Sequence, residues 1–219
     1  QPHDIAVIGA GAAGIWAAER AAREGADTLL LEKTARVGTK ILASGGQKCN
    51  LTTTRGPRDA ERLYGKRPGR FLRHSLMTLP PRALRDRFHE LGVPTREAPW
   101  EKVFPVSERA VDVRDALEEA ARQQGVDIRL ESPVISIQPE QDNWKIQVDG
   151  APSVTCRRAL VCPGGQSYPG TGTTGDGYQW AESLGLTIVE PVPHLVGLTS
   201  PEAWVHELSG VDIQGAEAR

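Results

Sequence analysis

A chain of 219 residues and 23.7 kDa is long enough to bury the core of one large domain. With 39% hydrophobic and 25% charged residues it has a globular composition, and no stretch approaches the run of about 20 apolar residues that a membrane helix requires. Its 23 glycines and 16 prolines follow no Gly-X-Y period, which excludes a collagen helix, and its net charge of −2 conceals one strongly basic stretch.

The sequence opens Gln1-Pro2-His3-Asp4 with no visible signal peptide and passes directly into a strand pattern from Asp4 to Gly9. That strand runs into Gly9-Ala10-Gly11-Ala12-Ala13-Gly14, a G-x-G-x-x-G at the mouth of a helix. Gly9 permits the tight turn, Gly11 lets a pyrophosphate approach the backbone, and Gly14 lets the helix pack closely on the sheet. The first turn of the helix, at Ala12 and Ala13, offers free N–H groups and about half a positive charge to an anion. Small residues carry the helix to Gly25, a suitable cap. A second strand, Thr28 to Leu31, ends in Glu32, where a carboxylate accepts hydrogen bonds from ribose hydroxyls and repels a 2′-phosphate. Lys33 follows and is grouped with the nucleotide-binding residues. Up to this point FAD and NAD are equally compatible with the pattern.

Arg36 to Asn50 reads as a glycine loop under a ring or a phosphate rather than as another helix. Here the chain resembles a bacterial flavoprotein family, the YhiN-like or BaiN-like proteins, known as aminoacetone oxidase family FAD-binding enzymes or NAD(FAD)-utilising dehydrogenases. The stretches that carry the likeness are GAGAAG, LEKTARVGTKILASGGQKCNLTT, VFPVSERA, CPGGQSYPGTGTTGDGY and AESLG. The resemblance implies an FAD pyrophosphate on the first loop and a ribose on Glu32. It also implies that the stretch from Lys40 through Ser44, Gly45 and Gly46 to Asn50 lies along the cofactor toward the flavin. Gln47 and Lys48 stand where the family usually has a glycine and an arginine; lysine keeps the charge but loses the planar fork. Cys49 could serve as a thiol beside a flavin, but a small residue packed under a glycine loop is the simpler account. Cys49, Cys156 and Cys162 form no C-x-x-C, imply neither a disulfide framework nor a zinc site, and fit a reducing cytoplasm.

Helices are expected over Arg55 to Leu79 and Pro81 to Leu91. Residues 55–87 hold ten Lys or Arg against three Asp or Glu. Such a stretch is either a patch for phosphates or an arginine-rich solvated face, and the second fits a chain in which twenty of 26 basic residues are arginine. Val113, Ala116, Leu117, Ala120 and Ala121 form the buried stripe of a strong helix ending at Gly125. A strand from Val126 to Leu130 precedes short alternating runs at Val134 to Ile137 and Trp144 to Val148, a small antiparallel meander within about residues 132–158. Ala159 to Cys162 reads as a buried strand that ends in Gly164 and Gly165. In related flavoproteins an Ala-Thr-Gly turn there passes close to the cofactor; Cys162-Pro163 replaces Ala-Thr and removes a backbone donor. The resemblance also places the Val134 backbone against the adenine.

Gly170-Thr171-Gly172-Thr173-Thr174-Gly175 repeats the G-x-G-x-x-G spelling without a preceding strand, so it reads as a wall of the active-site region rather than a second nucleotide site. Asp176 is expected to cap the helix from Gly177 to Leu184. His194, in a proline-rich loop, has no identifiable partner for general-base work.

The expected fold is α/β: a Rossmann-like FAD-binding domain over residues 1–195, a parallel sheet with a crossover antiparallel β-meander, then the start of a β-rich inserted substrate domain over 196–219. By the resemblance the closing segment lies beyond Arg219, so the 219 residues read as an incomplete flavoprotein. The implied activity is FAD-dependent oxidoreduction, with NAD(P)H as a possible hydride donor and a small-molecule substrate, either reduction of conjugated steroid-like acids or oxidation of small amino ketones. No membrane or nucleic-acid partner is expected. An NAD-dependent dehydrogenase, an RNA-associated flavoprotein and a non-catalytic nucleotide-binding fragment remain as alternatives, and the residues name no catalytic group.

Overall fold

The computed structural model describes residues 1–193 and 200–208. The chain divides into two compact units, Gln1–Thr187 and Ile188–Arg219. In the first, β1 (His3–Ile8) and β2 (Thr28–Leu31) are short apolar strands covered on both faces, the pattern of central parallel strands. Their period-two alternation sorts the side chains into two clusters. Val7 and Leu30 pack with Ile15 and Ala18 of α1 (Ala12–Arg23), whereas Ala6, Ile8, Leu29 and Leu31 face the opposite way.

The chain then forms α2 (Thr39–Ala43), β3 (Thr52–Thr53), α3 (Pro57–Leu63), α4 (Lys66–Thr78), α5 (Pro81–Glu90), β4 (Thr95–Ala98), β5 (Lys102–Pro105) and α6 (Ala110–Gln123). It continues through β6 (Asp127–Arg129), β7 (Val134–Glu140), β8 (Asn143–Val148), β9 (Val154–Val161) and α7 (Asp176–Ser183). The main sheet has the order β6-β2-β1-β9-β8-β7. β6, β2, β1 and β9 are parallel, and β9, β8 and β7 form the antiparallel meander. Ile137, Ile146 and Val148 of the meander join Ala6, Ile8, Leu29 and Leu31 in one core, opposite the core that α1 shares with Val113, Leu117 and Ala121 of α6. The expected α/β Rossmann-like fold with a meander is the observed one.

Several local expectations are corrected. The single helix over Arg55 to Leu79 is two, because Gly65 takes φ +75° and ends the first. The α4 backbone then crosses α3 so closely that a Cβ on Gly69 would lie 2.4 Å from the Glu61 carbonyl oxygen. The loop from Arg36 to Asn50 contains the short helix α2. A second sheet, β3-β5-β4, was not expected; its strands have two to four residues and carry Arg96, Glu97 and Lys102 instead of an apolar alternation. β9 begins earlier than Ala159, and Leu160 and Val161 are exposed, because β8 pairs with β9 only as far as Cys156.

In the second unit, Ala203–Leu208 forms a 3₁₀ helix. His194, and residues 196–199 and 209–219 of the segment expected to open a β-rich domain, lie outside the described residues.

α5 is fastened to α1 at two points. Trp16 and Phe88 meet with ring centroids 6.0 Å apart, and the Arg87 guanidinium donates to Glu19 at 2.7 Å. The Glu19 side chain is only 8% exposed, and the Arg87 guanidinium is its ion-pair partner. Replacing Arg87 by methionine leaves a buried carboxylate unpaired and is expected to cost about 3 kcal/mol of unfolding free energy in urea denaturation. The double variant E19Q/R87M is expected to recover most of that loss.

Candidate functional site

The chain leaves the C-terminal end of β1 toward β2 on one side and meets β9 on the other, so a crevice opens where the strand order reverses. Gly9 turns there with φ +96°, and a Cβ on it would lie 2.4 Å from the Cys162 carbonyl oxygen. A Cβ on Gly14 would lie 1.8 Å from the Gly9 carbonyl oxygen, so this glycine lets α1 press against the turn. Gly11 differs: a Cβ on it would meet nothing within 4 Å. Its surface faces open space, in a cleft of about 510 Å³. α1 has no side-chain cap and no acidic residue in its first turn, so none of its own side chains offsets its N-terminal N–H groups.

Glu32 lines the same cleft from the end of β2. Ala10 N–H donates to its Oε2 at 2.7 Å, and the Thr34 N–H and hydroxyl both donate to its Oε1 at 2.9 Å. The carboxylate is therefore oriented before any ligand arrives, with a lone pair to spare on Oε2. Ser132 N–H donates to the Glu32 carbonyl at 2.8 Å, which brings Ser132 and Val134 to the cleft wall.

The opposite wall is the glycine-rich loop between β9 and α7. Lys33 Nζ donates to Thr174 Oγ1 and Asp176 Oδ2, both at 2.7 Å. Lys40 Nζ donates to the Ser167 carbonyl at 2.7 Å and to Thr173 Oγ1 at 2.8 Å. Both ammonium groups thus latch the loop across the crevice. Asp176 does not cap α7: it is the first helical residue, and its carboxylate is taken by Lys33 and Thr174. Partial burial pushes the Asp176 carboxyl up, but hydrogen bonds from Lys33 and Thr174 and the lysine charge outweigh it and hold the group below its ordinary value. A 3₁₀ turn at Pro169–Thr171 precedes this part of the loop in place of the strand that a second nucleotide site would require.

Of the residues singled out from sequence, Gly9, Gly11, Ala12, Ala13, Glu32, Lys33, Lys40, Ser44, Asn50, Val134 and Gly164 line the one cleft. Gly14 stands behind it. Gly45 and Gly46, at φ +56° and +63°, do not line it; they form the turn that returns the chain from α2 toward Asn50. Gly165 is also outside the lining, its carbonyl accepting from Gly175 N–H at 3.1 Å to close the loop base. Lys48 pairs with Glu108 at 2.8 Å. Hydrogen bonds from Lys48 and Arg96 hold the Glu108 carboxyl below its ordinary value. Cys49 lines the cleft but is buried, and that burial pushes its thiol up against a weaker opposing hydrogen bond with Ser44, which disfavours a reactive thiolate.

Trp180 is a lining residue that sequence reasoning missed, because a tryptophan on a short helix reads as core. Its indole donates to the Ile135 carbonyl at 3.1 Å, beside a register shift between Val134 and Ser136. Thr173, buried and bonded to Lys40, carried no sequence signal beyond the glycine-rich spelling around it.

A family model described as the HI0933-like protein Rossmann domain matches residues 3–218. The chain is 35% identical over 196 residues to a 3-dehydro-bile acid delta(4,6)-reductase of Clostridium scindens, covering 89% of this chain and 47% of that protein. It is 29% identical over 205 residues to a ribosomal RNA dihydrouridine synthase of Escherichia coli K12, covering 94% and 50%. The chain therefore spans about half the length of the curated relatives it matches. A flavocytochrome c3 fumarate reductase in its open conformation shares the fold with a TM-score of 0.60 at 18% identity, over 84% of this chain and 40% of that one.

Because the folded Asp176 carboxyl is depressed, the stability it contributes is complete above its unfolded value, near pH 4, and is lost as pH falls through the lower folded value. Asp176→Asn is expected to flatten the fall of the urea midpoint below about pH 4 relative to the parent chain. Equal acid sensitivity of the two proteins would show that the latch does not hold in solution.

Proposed function

The chain belongs to the HI0933-like Rossmann family, and from that premise we propose that it is the nucleotide-binding half of an FAD-dependent oxidoreductase. The observation that carries the reading is the crevice at the end of β1. Open backbone at Gly11, an uncapped α1 N-terminus and a preoriented Glu32 carboxylate meet there in one cavity. Gly11, Ala12 and Ala13 would hold the pyrophosphate through backbone N–H groups, and Glu32 would accept from the adenosine ribose. Val134 would face the adenine, and Lys40, Ser44 and Asn50 would follow the cofactor toward its flavin. These residue types fit a dinucleotide because each surface offers the charge its part requires: donors at the phosphates, an acceptor at the ribose.

The flavin, when bound, supplies two-electron hydride chemistry. The residues lining the cleft would bind and orient it and exclude water, so no acid–base triad is needed in this half. Reducing a delta(4,6) unsaturation and forming a dihydrouridine both add two hydrogens across a carbon–carbon double bond. That shared chemistry supports an organic substrate with a reducible double bond. The hydride would come from a reduced carrier such as NAD(P)H. Residues 1–195 would form the FAD-binding domain and 196–219 the entry to a substrate-binding insertion.

Titration of the purified chain with FAD is expected to give saturable quenching of flavin fluorescence and a rise in Tm. Gly11→Val should weaken FAD about tenfold or more, which is ~1.4 kcal/mol or more, while leaving the Tm of the unliganded protein nearly unchanged. Protection by NAD⁺ but not FAD, or undiminished FAD affinity in Gly11→Val, would overturn the assignment.

A further inference from the structure

The insertion between β3 and β4 carries a surface that the cleft does not use. Of its ten basic residues over 55–87, Arg55, Arg62, Arg73, Arg85 and Arg87 lie within ion-pair distance of carboxylates. On α4, Lys66, Arg67 and Arg70 have no carboxylate within ion-pair distance among the described residues, and all three are exposed. Phe71 stands among them with 85% of its surface open to solvent. Helical spacing sets Arg67, Phe71 and His74 on one face, with Lys66 and Arg70 beside them.

This face is rigidly presented. α4 crosses α3 at Gly69, and Arg73 grips Glu61 through both carboxylate oxygens, at 2.6 and 3.0 Å. Leu72 and Leu76 are the half-buried apolar residues of α4, while the exposed side holds an isolated aromatic ring surrounded by cations.

We propose that the outward face of α4 is a docking surface for single-stranded RNA. Lys66, Arg67 and Arg70 neutralise backbone phosphates, and an unpaired base stacks on the Phe71 ring. A membrane surface fits less well, because a helix that lies in a bilayer needs a continuous free apolar face, and the leucines of α4 lie on its less exposed side. Duplex DNA offers phosphates but no free base face for Phe71. The cleft proposed for FAD shares no residue with this face, so the RNA surface stands or falls independently of the coenzyme reading.

Fluorescence anisotropy with a labelled single-stranded RNA of about 20 nucleotides tests it, at salt concentrations from about 50 to 300 mM. Binding is expected to weaken linearly on a log–log salt plot. The R67Q/R70Q variant should lower the slope by about 1.4, at about 0.7 for each single-strand phosphate that is no longer neutralised. Phe71→Ala should weaken binding by about fivefold to a hundredfold with the slope unchanged. All three positions are exposed, so circular dichroism and FAD titration of the variants should match the parent. No binding at low salt, equal binding by parent and variants, preference for duplex DNA, or retention on phosphatidylserine vesicles without RNA binding would each overturn the proposal.

Discussion

A Cβ on Gly9 would sit 2.4 Å from the Cys162 carbonyl oxygen, and one on Gly14 would sit 1.8 Å from the Gly9 carbonyl oxygen. Three pieces of backbone, the end of β1, the start of α1 and the end of β9, therefore pass closer together at this turn than side chains allow. The crossing is held by hydrogen bonds as well as by the lack of Cβ atoms. Gly9 N–H donates to Leu31 at 2.7 Å, Cys162 N–H donates to Ile8 at 2.8 Å, and Ala10 N–H donates to the Glu32 carboxylate. The last bond matters most for the site. It uses the acid at the end of β2 to fix the turn at the end of β1, so the anion-accepting helix terminus and the hydroxyl-accepting carboxylate have a set geometry relative to each other.

The charges around the cleft divide their labour in a way that a count of charged residues would miss. Lys33 and Lys40 are the cations that line the cleft, yet their ammonium groups are bonded to the loop from Ser167 to Asp176. Positive potential at the Gly11 surface comes instead from peptide dipoles at the start of α1. Backbone donors need no reorganisation when an anion arrives, whereas a lysine must be ordered at an entropic cost. The lysines act as cross-cleft braces, and the negative charge that one of them meets, Asp176, belongs to the first turn of α7, where an acid also suits the helix dipole.

The first thirty-two residues were legible because several local rules agree there: a buried apolar strand, glycines at the two positions that close packing demands and at the one that faces the cleft, a small-residue helix and a terminal acid. The α6 stripe and the meander were legible for the same reason, since each alternates with the period of its own element. Legibility failed where elements are short or polar. β3, β4 and β5 pair through two to four residues with charged side chains, and nothing in such a stretch distinguishes a strand from a loop. It also failed for bonds between residues far apart in the chain. The lysine braces span separations of 127 to 143 residues, and the Trp180 bond to Ile135 spans 45. Residue types at those positions are compatible with many partners, and only the fold selects one.

The wall of the cleft from Ser44 to Leu51 shows how tertiary bonds can hold a backbone that its own residues disfavour. Gln47 and Cys49 occupy the left-handed region at φ +67° and +59°, which costs a non-glycine residue roughly 1–2 kcal/mol. Gln47 stands where a glycine would relieve that cost. The loop is held from several directions: Ala110 N–H, at the start of α6, donates to the Gln47 carbonyl at 2.8 Å, Lys48 pairs with Glu108, Cys49 N–H donates to Ser44, and the Cys49 side chain is buried in the core with Val37 and Ile41. α6 is itself packed on α1 through the same core, so the wall bearing Ser44 and Asn50 is referenced to the helix whose N-terminus faces the cleft. Burying the small apolar Cys49 side chain offsets part of the strain, a role in which a reactive thiolate would be a liability. A glycine at position 47 would lower the local strain but would also enlarge the unfolded ensemble, so the glutamine is tolerable as long as those tertiary bonds remain in place.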